Sequence, residues 1–313
     1  MAERLPDWQT DVALLRDFSE VRLVVADLDG SLVHSSAHVV YSSLTNLQRS
    51  LSHSRHRVAF TFATGRAWNG AKDLVGSLSI PKGTPVILYN GALTLECGTS
   101  GVIERRCIGR DAIETVRTIC SLQAATAYFY DFTDPVAAAF QGQPVERVFG
   151  YGPGLAPIDF NGLEVWTSSW NTDAVANCTA ALIDISRLGE GVGVHLRDSL
   201  SRVNGIECTG SGFRYIEIRP AGANKGTALS VVADHLCLDV RHILALGDND
   251  NDAEMLRAAG IGVAVMGGSI SATEASDYVC KHGAADGAVE ILRLIKHAKR
   301  FYGSRRPQVR MQA

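Results

Sequence analysis

The sequence predicts an α/β protein with a doubly wound parallel sheet and an α+β region inserted into it. Apolar runs of strand length alternate with helical patterns between residues 21 and 92, and the alternation resumes after about residue 220. Such alternation is typical of parallel sheets covered by helices. The stretch between is richer in glycine and in short aromatic and β-branched runs, which favours a separate α+β region.

The first part of the chain predicts three strands at 21–26, 58–62 and 85–89. The run 21–26 is almost continuously apolar, as expected of a strand buried on both faces. Leu44, Leu47 and Leu51 recur at helical spacing between the first two strands. A second helix through Trp68 and Leu78 precedes the third strand. This β-α-β-α-β order predicts right-handed crossovers in one parallel sheet.

The last part of the chain repeats the pattern. It predicts a helix at 225–235, a strand at 242–246, a helix at 253–259, short strands at 262–266 and 277–280, and a final helix. We therefore expect a core of residues 1–92 and 220–313, with a cap domain at 93–219. Two glycine-rich runs at 150–154 and 189–193 lack the strand–GxGxxG–helix setting of nucleotide loops, so we expect turns there.

The composition argues against several partners. The 313 residues carry a net charge of -3, which does not suggest binding to nucleic acid or to an anionic membrane surface. No apolar run reaches the roughly 18 residues of a membrane span, and the N-terminal residues do not resemble a signal peptide. The seven cysteines form no CxxC pair, so we expect free thiols and a cytoplasmic protein. The oligomeric state is not predicted.

Two carboxylates follow the first predicted strand. Asp27 and Asp29, in the segment Asp27-Leu28-Asp29-Gly30, stand where the strand ends. Ligands of open α/β sheets bind at the carboxyl ends of strands. Two carboxylates at that place indicate a cation, a nucleophile or both.

A second acidic cluster follows the strand at 242–246. If the two strands are neighbours, Asp248 and Asp252 face Asp27 and Asp29. Two carboxylates about 4 Å apart repel by on the order of 4 kcal/mol at an effective dielectric constant near 20. Either protons or a divalent cation must relieve that repulsion. Oxygen ligands at a small site favour Mg²⁺, which commonly pairs with phosphate.

Two further features indicate phosphate. Thr64-Gly65 at a strand end offers a hydroxyl and an unhindered N–H group to an oxyanion. Lys225 begins a helix, where an ammonium is unfavourable unless an anion lies nearby. We therefore expect Asp27 to attack phosphorus, Asp29 to protonate the leaving oxygen and later to activate water, and Lys225 and Thr64 to hold phosphoryl oxygens.

These segments resemble the motifs of the haloacid dehalogenase-like (HAD) hydrolase superfamily, and in particular its Cof-type phosphatases with a large type-2 cap. The resemblance spans nearly the whole chain. The matching segments are Asp27-Leu28-Asp29-Gly30-Ser31-Leu32, Thr64-Gly65-Arg66, Asn90-Gly91-Ala92 before the cap, Asn224-Lys225-Gly226, and Gly247-Asp248 through Asn251-Asp252. One departure is Met266-Gly267-Gly268, where many relatives have Asn-Ala after Met-Gly.

The resemblance implies roles for individual residues. Asp27 would be the nucleophile and Asp29 the acid and base. Mg²⁺ would be held by the Asp27 side chain, the Asp29 carbonyl and Asp248. Thr64, Gly65 and Lys225 would contact phosphate, and Asn251 would contact phosphate or a metal-bound water. Asp252 and Asn90 would support the site, and the cap would close over the strand ends.

The predicted function is Mg²⁺-dependent hydrolysis of a small phosphorylated metabolite, either a sugar phosphate or a cofactor phosphate. One alternative is a phosphomutase of the same fold, in which a sugar hydroxyl attacks the aspartyl-phosphate. Another is a phosphate-binding regulatory module without turnover. Such modules usually lose the nucleophile or the lysine, whereas Asp27 and Lys225 are both present.

Overall fold

The structure is a computed structural model. It describes residues 2–7, 11–33, 42–52, 57–78, 80–99, 101–135, 138–139, 145–153, 155, 163, 165–167, 175–211 and 214–303. Contacts divide the chain into two units, the first comprising residues 1–64, 74–86 and 225–313, and the second comprising residues 65–73 and 87–224.

The described strands are β1 (Glu3–Arg4), β2 (Leu23–Asp27), β3 (Ala59–Ala63), β4 (Pro85–Leu88), β5 (Leu93–Glu96), β6 (Val102–Arg105), β7 (Thr126–Phe132), β8 (Glu146–Tyr151), β9 (Val165–Trp166), β10 (Cys178–Asp184), β11 (Ile206–Ser211), β12 (Tyr215–Pro220), β13 (Ile243–Gly247), β14 (Ile261–Ala264) and β15 (Tyr278–Val279).

The described α-helices are α1 (Leu15–Glu20), α2 (Ser42–Ser52), α3 (Trp68–Ser77), α4 (Arg110–Leu122), α5 (Glu190–Ser201), α6 (Lys225–His235), α7 (Ala253–Ala258), α8 (Ile270–Ala275) and α9 (Ala284–Gly303). Short 3-10 turns span Tyr89–Gly91, Val240–His242 and Asp250–Asp252.

The first unit contains a sheet whose strand order is β1-β15-β14-β13-β2-β3-β4. Strand β2 pairs in parallel with both β13 and β3, so that Val24 lies between Leu244 and Phe60. All five residues of β2 are buried, which explains its unbroken apolar character. Helix α9 packs against α1 and α2. The doubly wound parallel sheet predicted from the sequence is confirmed.

The second unit contains a six-stranded sheet of order β11-β12-β10-β7-β8-β9. Its strand pairs are antiparallel except for the parallel pair of β8 and β9. One face, which includes Phe129 and Ile216, packs against apolar residues of α4 and α5 such as Val116 and Leu196. Strands β5 and β6 form an antiparallel pair.

The unit boundaries fall at 86/87 and 224/225 and assign residues 65–73 to the second unit. The domain limits at 92/93 and 219/220 remain predictions.

The expected turn at 189–193 is wrong. Gly189 is the N-cap of α5, and Glu190 begins the helix. The side chains of Leu196 and Leu200 in this helix are completely buried. Their packing outweighs the low helix propensity of the glycines in α5.

The seven cysteines are free thiols. Within the described ranges, every helix is too short or too polar to cross a membrane.

The contact between α6 and α7 generates a test of packing. A Cβ added at Gly226 would lie 2.5 Å from the Glu254 carbonyl oxygen. We expect Gly226→Ala to lower the free energy of unfolding by about 1–3 kcal/mol, because the two helices must move apart. Gly76→Ala is the matched control in α3, since an added Cβ there meets no described heavy atom within 4 Å. It should leave stability unchanged or raise it by up to about 1 kcal/mol. Urea denaturation measures both, and equal effects would contradict the packing argument.

Candidate active site

The site lies where β2 and β13 end side by side. Ala26 pairs with Leu246 in the parallel ladder, and the next residues along the two strands are Asp27 and Gly247. Asp248 follows directly. The neighbouring strands expected from the sequence are therefore present, and their carboxyl ends bring the two acidic segments to one edge of the sheet.

Lys225 occupies the centre of this acidic cluster. It is the first residue of α6 and is completely buried. Its Nζ atom donates to Asp27 Oδ1 at 2.5 Å and to Asp252 Oδ1 at 2.7 Å. Burial alone would lower the pKa of Lys225, but the charges of Asp252 and Asp27 outweigh it, so that the pKa is raised and the ammonium stays charged. The anion expected beside this lysine is thus supplied in part by the protein itself.

Asp252 holds the loop that carries Asp248. While one of its oxygens accepts from Lys225, the other accepts the backbone N–H groups of Asp248 and Asn249, each at 3.0 Å. Asn249 completes a reciprocal capping box with Asp252. Gly247 allows this close approach, because a Cβ there would lie 2.5 Å from Asp252 Cβ.

Asp248 is held against the loop that follows β2. Its Oδ1 accepts from the Ser31 hydroxyl at 3.0 Å. A Cβ at Gly30 would lie 2.2 Å from Asp248 Oδ2, and Gly30 also has φ +94°, so glycine is required on both grounds.

Among the described residues, carboxylate oxygens of Asp27, Asp248 and Asp252 lie within 4.8 Å of one another and could share a metal ion. Burial is the main cause of the raised pKa values of Asp27 and Asp248, and the Asp252 charge adds to both. Lys225 opposes the effect on Asp27, and the Ser31 hydrogen bond opposes it on Asp248. A cation would relieve this repulsion, and oxygen ligands suit a hard divalent ion. Because both oxygens of Asp252 already accept hydrogen bonds, Asp27 and Asp248 are the better ligands.

Asp29 differs from the other three acidic residues. Its side chain is exposed, whereas Asp27 and Asp252 are buried. Its backbone forms an isolated bridge with Val33, and the Gly30 N–H donates to the Val33 carbonyl at 2.9 Å. The loop after β2 is therefore a tight turn, in which the Asp27 carboxylate is buried and the Asp29 carboxylate is exposed.

The remaining predicted residues have the following positions. Thr64 follows β3 and is completely buried. Asn251 is half-buried in the 3-10 turn Asp250–Asp252. Within the second unit, the side-chain amide of Asn90 lies 3.1 Å from the point where Gly65 would carry a Cβ. Asn90 has φ +52°, a left-handed conformation that asparagine adopts more readily than most residues.

Sequence reasoning missed two residues of the cluster. Asn249 had a readable signal, since an asparagine three residues before an acid is typical of a capping box. Ser31 stands in the first matching motif, but no local pattern indicated its role, because its partner Asp248 is 217 residues away.

The comparisons with known proteins agree with this geometry. The family model of the haloacid dehalogenase-like hydrolases matches residues 24–141 and 184–292. The chain is 28% identical over 255 residues to the HMP-PP phosphatase of Enterobacter sp. (strain 638), covering 80% of this chain and 85% of that protein. It is 42% identical over 78 residues to the phosphoglycolate phosphatase of Methanoculleus marisnigri, covering 25% of this chain and only 33% of that protein.

The solved structures include the same fold. A haloacid dehalogenase-like hydrolase from Bacteroides thetaiotaomicron superposes with a TM-score of 0.71 at 22% identity, covering 88% of this chain and 99% of that one. The family model matches well over half of the chain, and the matched residues include Lys225 and the neighbouring Asp27, Asp248 and Asp252. The resemblance recognised from the motifs is confirmed, and the chain belongs to the haloacid dehalogenase-like hydrolase family.

Proposed function

We propose that this protein is a Mg²⁺-dependent phosphatase that hydrolyses a small phosphorylated metabolite through an aspartyl-phosphate on Asp27. The observation that carries the proposal is the buried Lys225 between Asp27 and Asp252, with the Asp248 carboxylate beside them. This arrangement keeps a nucleophilic carboxylate, a cation and a pair of acidic ligands in one small volume, as phosphoryl transfer requires.

The side chains of Asp27 and Asp248 would hold Mg²⁺, together with the Asp29 backbone carbonyl that the family resemblance adds. When bound, Mg²⁺ neutralises charge on the phosphoryl oxygens and so lowers their repulsion of an attacking carboxylate. Asp252 would support the site by holding Lys225 and the Asp248 backbone.

In the first step a carboxylate oxygen of Asp27 forms a bond to phosphorus as the bond to the ester oxygen breaks. Asp29 gives its proton to that oxygen, and the alcohol leaves. In the second step Asp29 takes a proton from water, whose oxygen bonds to phosphorus and releases inorganic phosphate from Asp27. The exposure of Asp29 supports its role, since the residue must exchange a proton twice in each turnover.

Four residues would hold the non-bridging phosphoryl oxygens. Lys225 and Thr64 offer an ammonium and a hydroxyl, Gly65 offers a backbone N–H, and Asn251 offers an amide. Their contribution is greatest where charge develops in the transition state, because preformed donors need no reorganisation at that moment.

The substrate class rests on the relatives. The names of both relatives above specify phosphatases, and HMP-PP phosphatase is aligned along most of its length. A small phosphorylated metabolite is therefore the proposed substrate, with sugar phosphates and cofactor phosphates as the first compounds to screen by phosphate release. The free thiols agree with the proposed cytoplasmic location.

Asp27→Asn tests the nucleophile. It should lower Mg²⁺-dependent release from a chromogenic aryl phosphate by at least about a thousandfold, because an amide does not attack phosphorus. Asp250→Asn is the control, since Asp250 is an exposed acid in the segment that carries Asp248 and Asp252. Wild-type rates in the Asp27 variant would contradict the assignment. An inactive wild type between pH 5 and 9 would favour the binding module, and isomerised hexose phosphate without free phosphate would favour the mutase.

Lys225→Met separates stability from catalysis. Loss of the ammonium leaves Asp27 and Asp252 buried without their shared partner. The free energy of unfolding, measured with a chelator present, should therefore fall by about 3–5 kcal/mol. Activity should also be lost. Adding Asp252→Asn removes one of the two buried charges and should recover part of the stability and none of the activity. Recovery of both would show that Lys225 serves the fold alone.

Mg²⁺ binding should depend on pH with a definite sign. The raised pKa values of Asp27 and Asp248 mean that the metal-free fold retains their protons longer than the unfolded chain does. The contribution of these two groups to the stability of the metal-free fold is therefore greatest below about pH 4. That contribution falls as the pH rises through their pKa values in the folded protein. Mg²⁺ needs the ionised carboxylates, so the rise in Tm on adding it should be larger at pH 7.5 than at pH 5. Asp248→Asn should reduce that rise at both pH values.

A further inference from the structure

Glu146 is a buried carboxylate in the second unit that the proposed chemistry does not use. It begins strand β8, and 5% of its surface is exposed. Its Oε1 accepts the backbone N–H of Trp68 at 2.9 Å, and its Oε2 accepts that of Asn69 at 2.8 Å. These amides belong to the first turn of α3, where backbone N–H groups have no partner within the helix. A carboxylate 77 residues away in sequence therefore caps α3.

The same carboxylate also holds a second segment. The Tyr89 hydroxyl donates to Glu146 Oε1, and the Tyr89 side chain is 4% exposed. Tyr89 has φ +50°, and Asn90 and Gly91 follow with φ +52° and +96°. A left-handed conformation is unfavourable for a bulky residue such as tyrosine and persists only where surrounding contacts enforce it. The bond to Glu146 is one such contact.

The two segments meet at Gly65. The Tyr89 N–H donates to the Arg66 carbonyl at 3.1 Å, and the Asn90 amide packs against Gly65. Gly65 precedes the first turn of α3 by three residues and directly follows Thr64 in the chain. One carboxylate thus holds the segment after Gly65 and the turn that packs on Gly65.

We propose that Glu146 is a positioning residue for phosphate binding, because it joins the first turn of α3 to the Tyr89–Gly91 turn and so sets the orientation of the Gly65 N–H. The assignment rests on the proposed function, in which that N–H meets a phosphoryl oxygen. Glu146 itself does not touch the substrate. It acts through two backbone segments that both donate hydrogen bonds to its carboxylate at the start of β8.

The chemistry of three donors explains why a carboxylate is required. Two N–H groups and one hydroxyl converge on the two oxygens of Glu146. Glutamine has the same shape but offers one oxygen and one NH₂ group, so at least one donor would face another donor. The first turn of α3 or the Tyr89 turn must then shift, and small displacements of a phosphate-binding group weaken binding strongly.

The test compares Glu146→Gln with Asp184→Asn. Asp184 is the control, because it is also a carboxylate at a strand end of this sheet, is half-buried with a side chain 12% exposed, and accepts a backbone N–H, from Ser186 at 2.9 Å. We measure KM and kcat for an aryl phosphate, the inhibition constant of inorganic phosphate, and amide hydrogen exchange of residues 65–73. Glu146→Gln should raise KM and the inhibition constant about tenfold and should speed amide exchange in residues 65–73. Asp184→Asn should leave all three quantities unchanged.

Tyr89→Phe provides an independent variant that keeps both bonds to α3. It should raise the inhibition constant less than Glu146→Gln does, because it removes only one of the three donors that converge on Glu146. If Glu146→Gln does not fold, Tyr89→Phe decides the matter. Unchanged phosphate inhibition in a folded variant, with or without a lower Tm, would overturn the positioning role. A wild type that neither binds phosphate nor turns over would instead overturn the proposed function.

Discussion

The ion cluster of Lys225 with Asp27 and Asp252 is the interaction on which the rest of the first unit depends. A completely buried ammonium is tolerated only where carboxylates lie within hydrogen-bond distance, so three separate parts of the chain must meet at one point. The start of α6, the end of β2 and the loop after β13 are therefore placed together. The fold and the candidate chemistry share this constraint, because the residues that neutralise Lys225 also create the acidic site.

Asp27, Asp29, Asp248 and Asp252 are chemically unequal. Asp252 uses both oxygens within the protein, while Asp248 is held at the edge of the site by Ser31 and Gly30. Asp27 remains beside the lysine with a raised pKa, and Asp29 is exposed. Burial and hydrogen bonding assign these environments, since the side chains are identical. A nucleophile, a cation ligand, a structural acceptor and a proton carrier could thus be made from one residue type.

Close backbone approach accounts for the glycines of the site. Gly30 and Gly247 make room for the side chains of Asp248 and Asp252, and Gly65 makes room for Asn90. Any side chain at the first two positions would displace a carboxylate. The motifs are readable in sequence because this steric requirement leaves glycine beside Asp29 and Asp248.

The sequence by itself determined the parallel sheet, its helices and the acidic strand ends, because hydrophobic periodicity and short motifs are local properties. It did not determine that Asp252 would bind Lys225, nor that Ser31 would bind Asp248, since partners 27 and 217 residues apart meet only after folding. It also misread 189–193, where burial of Leu196 and Leu200 made a helix from a glycine-rich run. Glu146 is the clearest case. No local pattern marks it, and only the tertiary structure brings its two oxygens to α3 and Tyr89, because those donors come from chain segments more than 50 residues away.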